Sequence, residues 1–146
     1  MKLLIQRVTS ASVSVDNKVV GKIQKGIVLF IGIGKNDQEK DIDWLIEKTI
    51  NLRIFPDNSG KMNHSLLDIN GEILAISQFT LYGNCNKGRR PSYDEAAPPA
   101  QAEQRYNQFI EKLHTTPLKI ETGTFQAKML VQIINDGPVT FSLESK

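Results

Sequence analysis

Residues Gly26–Gly34 read GIVLFIGIG, and every position except the glycines is apolar. A strand with one wet face alternates apolar and polar residues. A strand apolar at every step is one buried on both faces. After this stretch, NDQEKDIDWLIEKTINL places Ile42, Leu45, Ile46, Thr49 and Ile50 at helical spacing on one face. Asn36 or Asp37 is the expected cap, and the acidic first turn suits the helix dipole. Before it, KLLIQRV and ASVSV read as two strands. Asp16-Asn17 is a turn, and KVVGKI returns as a hairpin partner.

Further along, LRIF reads as a short strand ended by the turn PDNSGK, and Asn70-Gly71 leads into the strand EILAISQFTLYG. Residues 83–97, GNCNKGRRPSYDEAA, change character and read as a loop carrying Lys87, Arg89 and Arg90. Pro98 and Pro99 open a second helix with Ala102, Tyr106, Phe109, Ile110 and Leu113 as its apolar stripe. LKIETG, AKMLVQII and PVTFSL read as closing strands. Seven or eight strands with two helices, in this order, give an α+β domain spanning residues 1–146.

The 146 residues suffice for one domain with a real core. With 40% hydrophobic and 23% charged residues, the composition is that of an ordinary globular protein. A net charge of +2 neither requires nor excludes a nucleic-acid partner, so the placement of charge matters more. The single cysteine, Cys85, has no intrachain partner, which suits a reducing, cytoplasmic setting. Gln6 and Arg7 interrupt the first apolar stretch too early for a signal peptide, and no run is long enough to span a membrane.

Standard catalytic sets are not evident. His64 and His114 stand apart, with no metal-ligand spacing, and Gly32-x-Gly34 lacks the third glycine of a dinucleotide fingerprint. No cofactor or metal is expected. Two stretches remain. Ser77-Gln78-Phe79-Thr80-Leu81 follows the apolar ILAI, so polar side chains appear where a buried strand ends. Asn135-Asp136-Gly137-Pro138-Val139-Thr140 puts Gly-Pro between strand-like flanks, although Gly weakens a strand and Pro cannot donate to its ladder.

SQFTL and NDGPVT, with LRIF, GKMN and KGRRPS between them, make the chain similar to the D-aminoacyl-tRNA deacylase family over essentially its whole length. The resemblance implies a bent, barrel-like β-sheet with two amphipathic helices. It implies a homodimer with active sites at the interface, and hydrolysis of the ester joining a D-amino acid to the 3′-terminal adenosine of tRNA. Ser77, Gln78, Phe79 and Thr80 would form the catalytic segment. Gly137 and Pro138 of the other subunit, joined by a cis bond, would hold the α-ammonium group and exclude an L side chain. Phe125 would lie against the terminal adenine, with Ala100 and Met129 lining the same pocket. Lys87, Arg89 and Arg90 would contact phosphates of the acceptor stem. An aminoacyl ester is already activated, so backbone N–H groups near Phe79 and Thr80, aided by the ribose 2′-OH, could suffice. Glycyl-tRNA, having no side chain to reject, should also be cleaved. A Thr80 nucleophile is the rival mechanism. A non-catalytic RNA-binding module and an unselective esterase are the rival functions.

Overall fold

A computed structural model of the chain describes residues 1–145. Gly26–Gly32 forms strand β3, whose side chains alternate between two apolar cores. Ile27, Leu29 and Ile31 enter the core shared with the helices, while Val28 enters a second core inside the curved sheet. Burial on both faces therefore explains the unbroken apolar run.

Around β3 the order is β1 (Lys2–Val15), β2 (Lys18–Ile23), β3, α1 (Glu39–Asn51), β4 (Phe55–Pro56), β5 (Met62–His64), β6 (Glu72–Ser77), a 3-10 turn (Phe79–Tyr82), α2 (Pro99–Leu113), β7 (Lys119–Thr122) and β8 (Leu130–Glu144). The main sheet runs β2-β1-β3-β6-β7, and β8 also pairs with β1. β3–β6 and β6–β7 are parallel pairs, so each needs a crossover connection. α1 lies in the first crossover and α2 in the second. The sheet curves until β2 meets β7. A Cβ on Gly21 would stand 2.7 Å from the Thr122 carbonyl oxygen, so glycine permits this closure. The Lys119 ammonium, held by Glu72 at 3.1 Å, also donates to the Lys22 carbonyl at 3.4 Å. The result is an α+β fold with a nearly closed, barrel-like sheet.

Both helices bury the expected faces. Ile42, Leu45, Ile46 and Thr49 are buried on α1, and Tyr106, Phe109 and Leu113 on α2. The α1 cap differs from expectation. Gln38 is the N-cap, and its N–H donates to the Asp41 carboxylate at 2.7 Å. Asp37 is engaged elsewhere, accepting from the Gly34 N–H at 2.6 Å and the Met1 amino group at 2.5 Å.

Two strand boundaries also differ. KLLIQRV and ASVSV are one bent strand, because β8 pairs along nearly all of β1 and bridges its irregular centre. AKMLVQII and PVTFSL likewise belong largely to one strand, β8, which passes through the Gly-Pro pair. The ladder accommodates that pair with a bulge. Gln6 faces Thr140 and Val8 faces Asn135, so residues 136–139 stand opposite Arg7 alone. LRIF contributes only Phe55 to a strand.

Candidate active site

The parallel strands β3 and β6 end side by side, with Ile31 opposite Ser77. Beyond the carboxyl ends of parallel strands is where open α/β sheets generally bind ligands. A cavity of about 750 Å³ lies here. Ile31, Ile33, Ile76 and Ser77 line it from the strand ends, and Gln78 and Phe79 from the chain that follows. Tyr93, Ala96 and Ala97 come from the long loop, Pro99 and Ala102 from the start of α2, and Phe125, Gln126, Ala127, Met129 and Val131 from the approach to β8.

The backbone around SQFTL is arranged in steps. The Gln78 N–H donates to the Ile31 carbonyl at 2.8 Å, extending the β3–β6 ladder past Ser77. The chain then tightens into the 3-10 turn, where Leu81 N–H donates to Gln78 O at 3.3 Å and Gly83 N–H to Thr80 O at 2.9 Å. The first N–H groups of such a turn have no partner within it. Those of Phe79 and Thr80 have no acceptor among the described residues. The Gln78 side-chain amide donates to the Thr80 hydroxyl. Phe79 is 58% exposed and meets Tyr93 edge-on, with ring centroids 4.9 Å apart.

Tyr93 joins this segment to the long loop. Asn84 and Ser92 close the loop's base by paired backbone bonds of 2.8 and 3.1 Å, with Lys87, Arg89 and Arg90 exposed beyond it. After Tyr93 the chain is tied to β3's exit: Lys35 N–H donates to Glu95 O at 3.2 Å and Ala97 N–H to Ile33 O at 3.0 Å. Phe125 rests against Tyr106 at 5.7 Å. Tyr106 is buried and donates to the Ala75 carbonyl at 3.1 Å, and burial pushes its phenol above the ordinary tyrosine range.

The structure therefore brings Ser77, Gln78, Phe79, Phe125 and Met129 to one cavity. Thr80 is exposed immediately beside it, and Ala100 is exposed on the first turn of α2 without lining it. Gly137 and Pro138 are exposed and do not line this cavity. Their peptide bond is cis, and Gly137 has φ +122°.

A buried arginine supports that segment. Arg7 is 7% exposed. Its Nε donates to the Asp136 carbonyl at 3.1 Å and stands 3.2 Å from the Asp136 carboxylate. Its Nη1 donates to the Ile54 carbonyl at 2.6 Å. A Cβ on residue 137 would lie 2.8 Å from Arg7 Nη2, so glycine makes room for the guanidinium. On the far side, Asn135 accepts from the Val139 N–H at 3.0 Å and donates to the Thr140 hydroxyl at 3.2 Å. Sequence reasoning missed Arg7, Tyr93 and Gln126. Arg7 had a usable signal: it follows Leu3 and Ile5 at every second position, on the buried face of β1.

A cavity at the ends of parallel strands, walled by apolar groups and flanked by free backbone donors, suits a hydrolase acting on an activated acyl group. The comparisons with known proteins narrow this. A family model described as "D-Tyr-tRNA(Tyr) deacylase" matches residues 4–144. The chain is 57% identical over 146 residues to a D-aminoacyl-tRNA deacylase of Thermosipho africanus (strain TCF52B), covering 100% of this chain and 98% of that one. It is 57% identical over 145 residues to one of Geotalea uraniireducens (strain Rf4), covering 99% and 94%. Among solved structures, a "c-Myc DNA Unwinding Element Binding Protein" superposes with TM-score 0.95 at 44% identity, covering 100% of this chain and 99% of that one. Another, described as "Structural Analysis of a probable eukaryotic D-amino acid tRNA deacylase", shares the fold at TM-score 0.78 and 16% identity, covering 97% of each chain. The chain belongs to the D-aminoacyl-tRNA deacylase family, whose members are editing ester hydrolases with aminoacyl-tRNA as substrate.

Proposed function

We propose that the enzyme works as a homodimer in which each cavity is completed by Gly137 and Pro138 of the second copy. The observation that carries this is the position of the pair: exposed, outside its own cavity, and on strand β8, which among the described residues pairs only with β1. The rest of that edge points the same way. β8 is long, and Leu130, Ile134 and Phe141 are 75%, 54% and 39% exposed. An unprotected apolar edge strand is a template for association, and a second copy would cover it.

In that arrangement the Gly137 and Pro138 carbonyls accept from the substrate's α-ammonium group. The Phe79 and Thr80 N–H groups stabilise the oxyanion that forms when the ester carbonyl is attacked. With ammonium and ester both fixed, a D side chain leaves the pocket and an L side chain collides with backbone. Exclusion by backbone serves many D-amino acids and lets glycyl-tRNA through. Phe125 stacks on the terminal adenine, beside Met129, and Lys87, Arg89 and Arg90 contact the acceptor stem.

No carboxylate, imidazole, thiol or amine lines the cavity among the described residues. This supports help from the ribose 2′-OH, which either assists attack or positions the water. Thr80 then positions rather than attacks, and its hydroxyl has only the Gln78 amide as a side-chain neighbour within the turn. Subunit complementation tests the proposal. One variant carries Thr80→Pro, which removes a donor; the other carries Pro138→Ala. Each homodimer should be nearly inactive on D-Tyr-tRNA. Co-purified heterodimers should regain activity, because one of their two sites is intact. Heterodimers as inactive as the parents would overturn the cross-subunit site. L-Tyr-tRNA should stay intact throughout.

A further inference from the structure

Among the described residues, four other than glycine have positive φ: Asp16 (48°), Asn17 (63°), Asn70 (48°) and Gln126 (60°). Three are Asp or Asn, whose short polar side chains bond locally and tolerate the left-handed region. Asp16 and Asn17 form the β1–β2 turn, and Asn70 precedes Gly71 in another turn. Gln126 is the exception. Its amide is one carbon further from the backbone, and among the described residues it makes no side-chain hydrogen bond. The turn that holds it is closed by Ala127 N–H donating to Thr124 O at 3.2 Å. That places Gln126 at the position where glycine would sit without strain.

The location of this misfit matters. Gln126 lines the cavity, between Phe125 and Ala127, which line it too. Strained backbone held at a ligand site is a recurring mark of function. A side chain kept here against local preference has to be accounted for by what it touches in the cavity. Its chemistry is an amide, with two donors and one acceptor. An amide matches the edge of adenine, which offers an N6 donor beside a ring-nitrogen acceptor, and glutamine is a standard bidentate partner for that base.

We infer that Gln126 is a specificity-determining residue for the terminal base of the substrate: Phe125 takes the face of the adenine and the Gln126 amide takes its edge. This rests on the reading that the adenine lies against Phe125. The inference adds a base-identity check to a site otherwise built from backbone and apolar surface. At the N6/N7 edge inosine presents two acceptors, O6 and N7, where adenine presents a donor and an acceptor, so the amide would lose a bond with it.

The test uses D-Tyr-tRNA prepared by chemical acylation, ending either in adenosine or in inosine, with wild type, Gln126→Gly, Gln126→Glu and Phe125→Ala. The wild type should prefer adenosine by about tenfold in kcat/KM, the scale of one bidentate base contact. Gln126→Gly should melt a few degrees higher, because the left-handed strain is relieved. It should nevertheless lose that preference and raise KM about tenfold, with kcat changed little. Gln126→Glu keeps the acceptor for N6 and loses only the donor to N7, which both bases present, so it should keep the adenosine preference while raising KM for both substrates, without the gain in melting temperature. If Gln126→Gly keeps KM and the adenosine preference within twofold while Phe125→Ala raises KM, the inference is overturned and the adenine pocket stands. If Phe125→Ala also leaves KM unchanged, the adenine does not bind here, and the reading beneath the inference fails with it.

Discussion

Replacing Arg7 with leucine removes a buried cation that joins three separate pieces of chain: β1, the Ile54 segment and the Gly-Pro bulge. The side chain donates to two carbonyls, Ile54 O at 2.6 Å and Asp136 O at 3.1 Å. Hydrogen bonds from a charged donor contribute about 1.5–3 kcal/mol each, and leucine leaves both acceptors unpaired. The ion pair with Asp136 adds little, because that carboxylate is 38% exposed and solvent screens it. Taking the lower figure for each carbonyl, the loss is about 3 kcal/mol. For a chain of this size that corresponds to a fall in Tm on the order of 10 °C. Activity should suffer further, because residues 136–139 lose the support that aims Gly137 and Pro138. Misplacing a positioning group by about 1 Å costs roughly 100-fold in rate. Thermal unfolding and single-turnover deacylation of D-Tyr-tRNA read the two effects separately. Arg7→Lys supplies the control: a single ammonium cannot serve both carbonyls, so it should fall between wild type and Arg7→Leu on both readouts. If Arg7→Leu melts within about 2 °C of wild type and turns over D-Tyr-tRNA within twofold, the buried guanidinium does not organise the bulge.

The Phe79–Tyr93 edge contact predicts that Tyr93→Ala lowers kcat about fivefold with little change in KM, whereas Tyr93→Phe is neutral, since an aromatic pair contributes roughly 0.5–1.5 kcal/mol. Removing Arg89 and Arg90 together should raise KM for D-Tyr-tRNA and flatten the slope of log(kcat/KM) against log[salt] by roughly 0.7–0.9 per lost phosphate contact; an unchanged slope would assign these cations to solvent alone. Thr80→Ala should keep single-turnover deacylation within a few-fold of wild type, whereas a loss of several orders of magnitude would make Thr80 the nucleophile. Burial raises the phenols of Tyr106 and Tyr82 above their unfolded value, the latter aided by the nearby Asp37 charge. Below about pH 10 both states keep these protons and stability is flat; above it only the unfolded chain ionises, so buried Tyr106 should cost about 1.4 kcal/mol per pH unit, and half-buried Tyr82 less, because solvent screens it. Tyr106→Phe should remove one such contribution from the alkaline slope in denaturant titrations.

What was legible in the sequence followed from period and composition. The unbroken apolar run of β3 and the helical stripes at Ile42–Ile50 and Ala102–Leu113 report burial directly, and burial is what the fold imposes on those positions. The Gly-Pro pair was legible as an anomaly in a strand, and it marks a bulge inside β8 rather than a break between two strands. Pairing could not be read in the same way. Whether β1 and β8 are each one strand or two depends on how they lie against each other, and residues 2 and 144 become neighbours only in the sheet. The cavity was partly legible for a related reason. SQFTL stands out by chemistry and Phe125 only through the family resemblance, whereas Tyr93, Ala96 and Ala97 join the wall only because residues 95–97 bond to the end of β3.

Arg7 and Gln126 mark two kinds of signal that local pattern hides. Arg7 occupies a core-facing position in β1, where a charge must find partners, and those partners lie far along the chain at Ile54 and Asp136. Gln126 is unremarkable as a residue type and becomes informative only once its φ of 60° is known. In each case the residue breaks a local rule, and the break falls beside Gly137 and Pro138 or on the cavity wall. Local preference is overridden where a site needs geometry that the fold alone does not supply. The two residues should therefore respond in opposite ways to substitution by the locally preferred type. Arg7→Leu suits a buried strand position but should unfold more easily, because the Ile54 and Asp136 carbonyls were built around the charge. Gln126→Gly suits its turn and should melt higher, because nothing in the protein was built around the amide, and its cost should appear only when substrate binds.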